Sequence, residues 1–217
     1  MSAAEPAVAS GRDRILAAAV NRIASDGIDG VRIARIAMDA GVSTALVHYH
    51  FATREALLGE ALEYSFEHAG DLRIGETHDD TSESPAERLA RMVDHCLPSS
   101  ESLERDWVLW VELWLRAVRH PELRPISEHL YARMRDWFAD VIAAGVATGE
   151  FAECDPGAVA DRALALIDGF GIRALLGDPA VSLDRARWEV GEMLARQLGA
   201  GDQLPFPRSV VSGAGHR

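Results

Sequence analysis

Gly41-Val42-Ser43-Thr44-Ala45-Leu46-Val47-His48-Tyr49-His50-Phe51 is the stretch whose reading decides the fold. Ahead of it Ile33, Ile36, Ala37 and Ala40 recur at i, i+3, i+4 and i+7, the spacing of a short helix with one buried face. Gly41 stops that helix, because glycine takes the left-handed conformation needed just past a helix end. Val42 is the apolar residue of the turn, and Ser43 can cap a second helix by accepting a backbone N–H. In that helix Val47 and Phe51 fall on one face, four apart, while Thr44, His48 and Tyr49 point elsewhere. Two short helices joined by a glycine turn make a helix-turn-helix, whose second helix enters the DNA major groove. Its outward groups are hydroxyls and imidazoles, able to meet base edges and phosphates. An ordinary helical hairpin in an all-α core has the same turn, so the outward chemistry carries the DNA reading.

The flanks extend this head. Ile15, Leu16, Ala19, Val20 and Ile23 predict an amphipathic helix ending near Gly27, and Ile28–Val31 carries the chain onward. Thr53 is placed to cap a fourth helix with Leu57, Leu58, Ala61 and Leu62 spaced for burial. Arg54 stands in its first turn, where a cation opposes the helix dipole, so the position needs another reason. A phosphate partner would be one.

The whole chain of 217 residues carries 22 basic and 34 acidic residues, net −12, and every basic residue is arginine. Residues 1–54 balance six arginines against five acids, whereas 55–217 set sixteen against twenty-nine. A near-neutral head on an acidic body fits a DNA reader whose remainder never touches DNA, and it argues against nonspecific coating of nucleic acid. The absence of lysine removes phosphate-loop, Schiff-base and Ser-x-x-Lys chemistry together. Cys96 and Cys154 lie far apart without metal-ligand spacing, so neither a disulfide framework nor a zinc finger is expected. Residues 1–10 lack the pattern of a secretory signal and are expected to be disordered, and no apolar run is long enough for a membrane span. A cytoplasmic protein is expected.

Beyond an acidic connection around 70–84, the body reads as helices throughout. Ser84-Pro85-Ala86-Glu87 combines cap, first-turn proline and capping-box glutamate. Its helix faces inward through Leu89, Met92, Val93, Cys96 and Leu97. The next, from Leu103 to Arg119, is expected to place Trp107, Trp110, Val111, Trp114, Leu115 and Val118 on one side. After the His120-Pro121 and Arg124-Pro125 breaks a long helix follows to about Gly145–Gly149. Asp155-Pro156 and Ser182 open two more, and a loose Gly/Pro/Ser-rich tail begins at Gly199. The expected architecture is all-α, about nine helices: a head over 11–68, a ligand-binding and dimerisation body over 69–198, and a flexible tail over 199–217.

The head resembles the DNA-binding domain of the TetR family of ligand-responsive repressors. The resemblance rests on Ile36-Ala37, Ala40-Gly41-Val42-Ser43, His48-Tyr49-His50-Phe51 and Arg54-Glu55-Ala56-Leu57-Leu58. The body resembles the BetI-type C-terminal domain through Trp110-Val111-Glu112-Leu113-Trp114, Pro121-Glu122-Leu123, Gly149-Glu150-Phe151, Ile167-Asp168-Gly169 and Leu175-Leu176-Gly177-Asp178-Pro179. Three positions depart from the family. Arg32 stands where a capping threonine is usual, His48 where a tyrosine is common, and Arg54 in place of a lysine.

The expected DNA surface comprises Arg32, Arg35, Ser43, Thr44, Ala45, Leu46, His48, Tyr49, His50 and Arg54. Tyr49, His50 and Arg54 are assigned to phosphates, and Thr44, Leu46 and His48 to base edges. One such helix reads too few bases alone, so a homodimer on a palindromic double-stranded DNA operator is expected. Its interface is expected through Ala163, Ile167, Phe170, Gly171, Ala174, Trp188 and Leu194, as a four-helix bundle; packing of the same face inside one subunit is the alternative. The body is expected to bind a small-molecule effector. Trp107, Trp110 and Trp114 at i, i+3, i+7, with Trp137, suggest an aromatic enclosure for an organic or amine cation, with Glu112, Asp168 or Asp94 as counter-charge. Plain core is the other reading of that stripe, and the resemblance to a lineage that includes a choline sensor is part of the argument. No cofactor, metal or catalytic residue is expected: Gly169-x-Gly171-x-x-Ala174 matches a dinucleotide fingerprint only as a string, since no strand precedes it. A helical-bundle binding or interaction protein without sequence-specific DNA contact remains the alternative function.

Overall fold

The computed structural model describes residues 10–68, 83–201 and 204. The expected acidic connection, and nearly all of both expected loose ends, fall outside these residues. Among the described residues there are nine α-helices, one 3-10 turn and no strand. They are α1 (Gly11–Gly30), α2 (Ile33–Asp39), α3 (Thr44–His50), α4 (Arg54–His68), α5 (Pro85–His95), α6 (Glu101–Arg119), α7 (Arg124–Thr148), α8 (Pro156–Leu175) and α9 (Leu183–Leu198), with the 3-10 turn at Pro121–Leu123 between α6 and α7.

Local chemistry sets most of these boundaries. Ser43, Ser84, Asp155 and Ser182 each accept a backbone N–H at the start of α3, α5, α8 and α9, and Ser84 with Glu87 completes a capping box. Thr53 Oγ1 accepts from Ala56 N at 3.0 Å to open α4. Ser10 and Asp13 form a further capping box at α1, which the sequence reading passed over. Gly41 has φ 64°, as its turn requires. Inside α1, Gly27 has φ 66° and ψ 159°, a region essentially open only to glycine, so the segment from Ile28 to Gly30 is a separate last turn set at an angle.

The chain divides into two compact units. The first holds α1 to α4 together with Val108–Leu130; packing therefore adds to the expected head the second half of α6, the 3-10 turn and the start of α7. Its core is Ile15, Leu16, Ala19 and Ile23 of α1 with Ile36, Ala37, Val47, Phe51, Leu57, Leu58 and Ala61. Gly59 gives α4 its seat there, since a Cβ would stand 2.8 Å from Ile126 Cδ1 and 3.1 Å from Leu123 Cδ2. The second unit holds α5, the start of α6, most of α7, α8 and α9, around Leu89, Met92, Val93, Phe138, Val141, Ile142, Val159, Ile167, Val190 and Leu194. Each fully buried Leu, Ile or Phe in these cores contributes roughly 1.5–3 kcal/mol of transfer free energy.

The face expected for α6 needs correction. Its buried positions include Trp107, Leu109, Leu113 and Ala117, whereas Leu115 and Val118 are exposed. The buried stripe follows Leu109, Leu113 and Ala117 at i, i+4 and i+8, so the apolar face is turned from the one drawn through the tryptophans.

Candidate functional site

In the first unit, α3 presents a compact outward surface. Thr44, Ala45 and His48 are exposed, and Tyr49 keeps 82 % of its surface accessible. Val47 and Phe51 anchor the opposite side. Ser43 is exposed, yet its Oγ already accepts from Leu46 N at 3.2 Å and acts as the cap. Leu46 is half-buried beside the start of α1, with Cδ2 3.5 Å from where a Cβ on Gly11 would stand. His50 is half-buried, its ring edge-on to Tyr49 at 5.2 Å. The free outer surface of α3 is thus Thr44, Ala45, His48 and Tyr49, with Leu46 and His50 at its margin.

The arginines divide. Arg32 is exposed and heads α2 without a side-chain cap bond, as expected from the loss of a threonine. Arg35 is exposed and 3.9 Å from the Asp26 carboxylate. Arg54 is turned inward: its Nη2 donates to Ile28 O at 2.5 Å and lies 3.5 Å from Val31 O. The cation that opposes the α4 dipole is satisfied by carbonyls at the end of α1, where positive charge is favourable. That contact supplies a reason for Arg54 other than the phosphate expected of it. Two further arginines were not singled out from the sequence. Arg22 grips Asp39 with two bonds, 2.5 and 3.1 Å, tying α1 to the end of α2 and holding the Asp39 carboxyl below the usual range. Arg12 pairs with Glu60 and lies 5.7 Å from the Phe51 ring centroid.

In the second unit an acid is half-buried. Asp168 is on α8, and Tyr131, the first α7 residue of this unit, donates its hydroxyl to Asp168 Oδ2 at 2.7 Å. Burial pushes the Asp168 carboxyl up to about 6, against the lowering effect of the Tyr131 bond. One turn along α8, Gly171 receives the indole of Trp107: a Cβ there would stand 2.1 Å from Cη2 and Cζ2. Trp107 is 6 % exposed and its Nε1 donates to Cys96 O at 3.1 Å. The Cys96 thiol is pushed up to about 12, chiefly by burial and then by the Asp168 charge. Carboxylate, phenol and indole therefore gather around the face of α8 that carries Asp168 and Gly171. A second acid of this unit, Asp106, is also pushed up to about 6 by burial. Neither Tyr131 nor Asp106 was singled out from sequence, because a tyrosine and an acid on apolar helices look like edge positions.

The remaining expected effector residues have these surroundings. Asp94 is an exposed carboxylate held by Arg187 Nε at 2.5 Å. Glu112 belongs to the first unit, its Oε1 4.0 Å from where a Cβ on Gly27 would stand. Trp110 and Trp114 are also in the first unit, with ring centroids 5.9 Å apart. Trp137 is in the second unit, half-buried and edge-on to Phe138.

The expected dimer face is corrected as well. Ala163, Ile167 and Leu194 are buried within the single chain, and Gly171 is covered by Trp107. They pack inside one subunit because α8 turns this face against α9 and Trp107. Phe170, Ala174 and Trp188 are only half-buried. The outer side of α8 also shows Ala165, Gly169 and Arg173, and Leu176, capping its end, is 76 % exposed.

Among the described residues no three His, Cys, Asp or Glu side chains gather as a metal site, and no helix is long and apolar enough to cross a membrane.

Residues 15–61 match the model of bacterial regulatory proteins of the tetR family, and residues 85–199 match that of the BetI-type transcriptional repressor C-terminal domain. HTH-type transcriptional regulator BetI 1 of Chromohalobacter salexigens is 26 % identical over 192 residues, covering 86 % of this chain and 90 % of that protein. Among solved structures, a transcriptional regulator from Saccharomonospora viridis in complex with choline is 34 % identical, with TM-score 0.73 over 86 % of this chain and 96 % of that one. The multidrug binding protein EbrR complexed with proflavin is 25 % identical, with TM-score 0.59 over 85 % and 99 %.

Proposed function

This chain belongs to the tetR family of bacterial DNA-binding transcriptional regulators, with a BetI-type C-terminal domain, and on that premise we propose that it is a homodimeric repressor released from a palindromic operator when an organic cation binds at Asp168. The observation that carries the reading is the half-buried carboxylate bonded by Tyr131. A half-buried acid pushed up to about 6 by desolvation is short of positive partners. Trp107 and Tyr131 add the aromatic faces that attract a desolvated cation by about 2 kcal/mol. The relatives solved with choline and proflavin hold organic cations. Asp94, already held by Arg187, is left out of this site.

DNA contact is assigned to Thr44, Ala45, His48 and Tyr49 on α3, with Arg32 and Arg35 on the flanking phosphates and Leu46 and His50 at the rim. The second copy is assigned to the outer side of α8, through Leu166, Gly169, Phe170, Arg173 and Leu176, with Trp188 of α9. Cation binding favours a head spacing that no longer fits the operator, and the population shifts away from DNA. Such a repressor works in the cytoplasm, where the chromosome lies. The exposed polar side of α3 argues against a helical bundle that never meets DNA.

The test is a titration at pH 7.5 with choline and with its neutral isostere 3,3-dimethylbutan-1-ol, followed by tryptophan fluorescence. Choline is expected to bind, the alcohol at least tenfold more weakly, and Asp168→Asn to lose about ten- to a hundredfold for choline. Equal binding of the two compounds, or an undiminished Asp168→Asn, would remove the cation assignment.

A further inference from the structure

The turn from Ile28 to Val31 leads through Arg32 into α2, and α2 leads through four residues into α3. Nothing local fixes the start of α2, because Arg32 makes no side-chain cap bond there. The turn is instead held from outside. Ile28 and Val31 are buried, at 2 % and 4 % exposure. From α4, Arg54 donates to the carbonyls of Ile28 and Val31. From α6, Arg116 pairs with Asp29 between them. Arg116 is itself mostly buried, whereas Asp29 is 90 % exposed. All of these residues lie in the first unit.

We propose that Arg54 and Arg116 are positioning residues for DNA reading: gripping the Ile28–Val31 turn from α4 and α6, they set the docking angle of α2 and α3 without touching DNA. The inference goes beyond the effector reading and does not rest on it. Base-edge hydrogen bonds weaken steeply with a few tenths of an ångström and with angle. A seven-residue α2, about 10 Å long, carries a small tilt at the turn across to the recognition surface. The grip therefore matters for sequence-specific binding, and much less for the electrostatic attraction to any duplex.

Asp29 makes the idea testable by sign. Its negative charge in the head repels DNA, so Asp29→Asn considered as electrostatics alone tightens binding. Considered as loss of the grip, the same change loosens it. The probes are the duplex enriched by the full-length protein from random DNA and the unenriched random pool, each measured by fluorescence anisotropy across salt concentrations. Asp29→Asn and Arg116→Ala are expected to weaken the enriched duplex roughly three- to tenfold, with little change for the pool and an unchanged salt slope. The double exchange Asp29→Arg with Arg116→Asp should restore affinity, which a merely destabilised variant would not show. Arg54→Ala should behave like Arg116→Ala, with Arg54→Lys recovering part of the loss. Tighter or unchanged binding by Asp29→Asn overturns the proposal. So does a slope reduced by about 0.9 in Arg54→Ala or Arg116→Ala, the mark of a lost phosphate contact. Failure of any duplex to be enriched also overturns it, since there would be no specific reading to position.

Discussion

Replacing Asp168 by asparagine should make the free protein more stable while removing its response to cations. The carboxyl is raised from 3.8 to about 6, so burying its charge costs up to about 3 kcal/mol once the pH is well above 6. Asparagine removes that cost and still accepts from the Tyr131 hydroxyl, while its half-buried amide N–H groups, left without a partner, return about 1 kcal/mol or more of it. The remainder, about 1–2 kcal/mol at pH 7.5, corresponds to roughly 2–8 °C in Tm for a chain of this size. The pH dependence fixes the sign. A carboxyl whose folded pKa is raised contributes its full stability below about pH 4 and loses it as the pH climbs through 6. The advantage of Asp168→Asn should therefore be large at pH 7.5, smaller at pH 5.5 and absent or reversed at pH 4. Thermal unfolding followed by circular dichroism, without effector, measures this directly. A variant less stable than the wild type by the same amount at all three pH values would refute the reasoning, because Asp168 would then be a well-compensated anion.

The same carboxyl predicts that choline affinity falls about tenfold for each pH unit below 6, as protons compete with the cation; calorimetry across pH 4.5–8 would check this, and a flat profile would count against it. Gly171→Ala places a methyl 2.1 Å from the Trp107 ring, so denaturant unfolding should show a loss of about 1–3 kcal/mol or more despite alanine's better helix propensity, and an unchanged midpoint would mean the indole has room to move. Gly169 has nothing within 4 Å of an added Cβ, so Gly169→Arg should leave the subunit folded yet shift sedimentation from dimer to monomer; a dimer that persists would move the interface elsewhere.

The fold was legible because its signals are local. Ser43, Ser84, Asp155 and Ser182 cap their helices with bonds spanning three residues, and Pro85 and Pro156 stand where a first turn tolerates them. The outward placement of Thr44, Ala45, His48 and Tyr49 followed from the same helical spacing that buries Val47 and Phe51. What the sequence hid is non-local. Arg54 reaches a carbonyl 26 residues back, Arg187 claims Asp94 across 93 residues, and Tyr131 meets Asp168 across 37. The small residues of α8 were visible as a device for close approach, but apolar pattern is the same whether a face meets its own chain or a second copy. Ala163, Ile167 and Gly171 turned out to serve the former. The tryptophans share one helical stripe in sequence, but only the structure shows Trp107 packed on Gly171 and Trp110 beside Trp114.

The most direct test of the account is the release of DNA by a cation. The operator duplex enriched from random DNA, fluorescently labelled and bound to the protein at pH 7.5, would be titrated with choline while anisotropy is read, for the wild type and for Asp168→Asn. The account predicts that choline lowers the anisotropy to that of free duplex with the wild type and leaves the Asp168→Asn complex intact. Release of both complexes alike, or of neither, would contradict it.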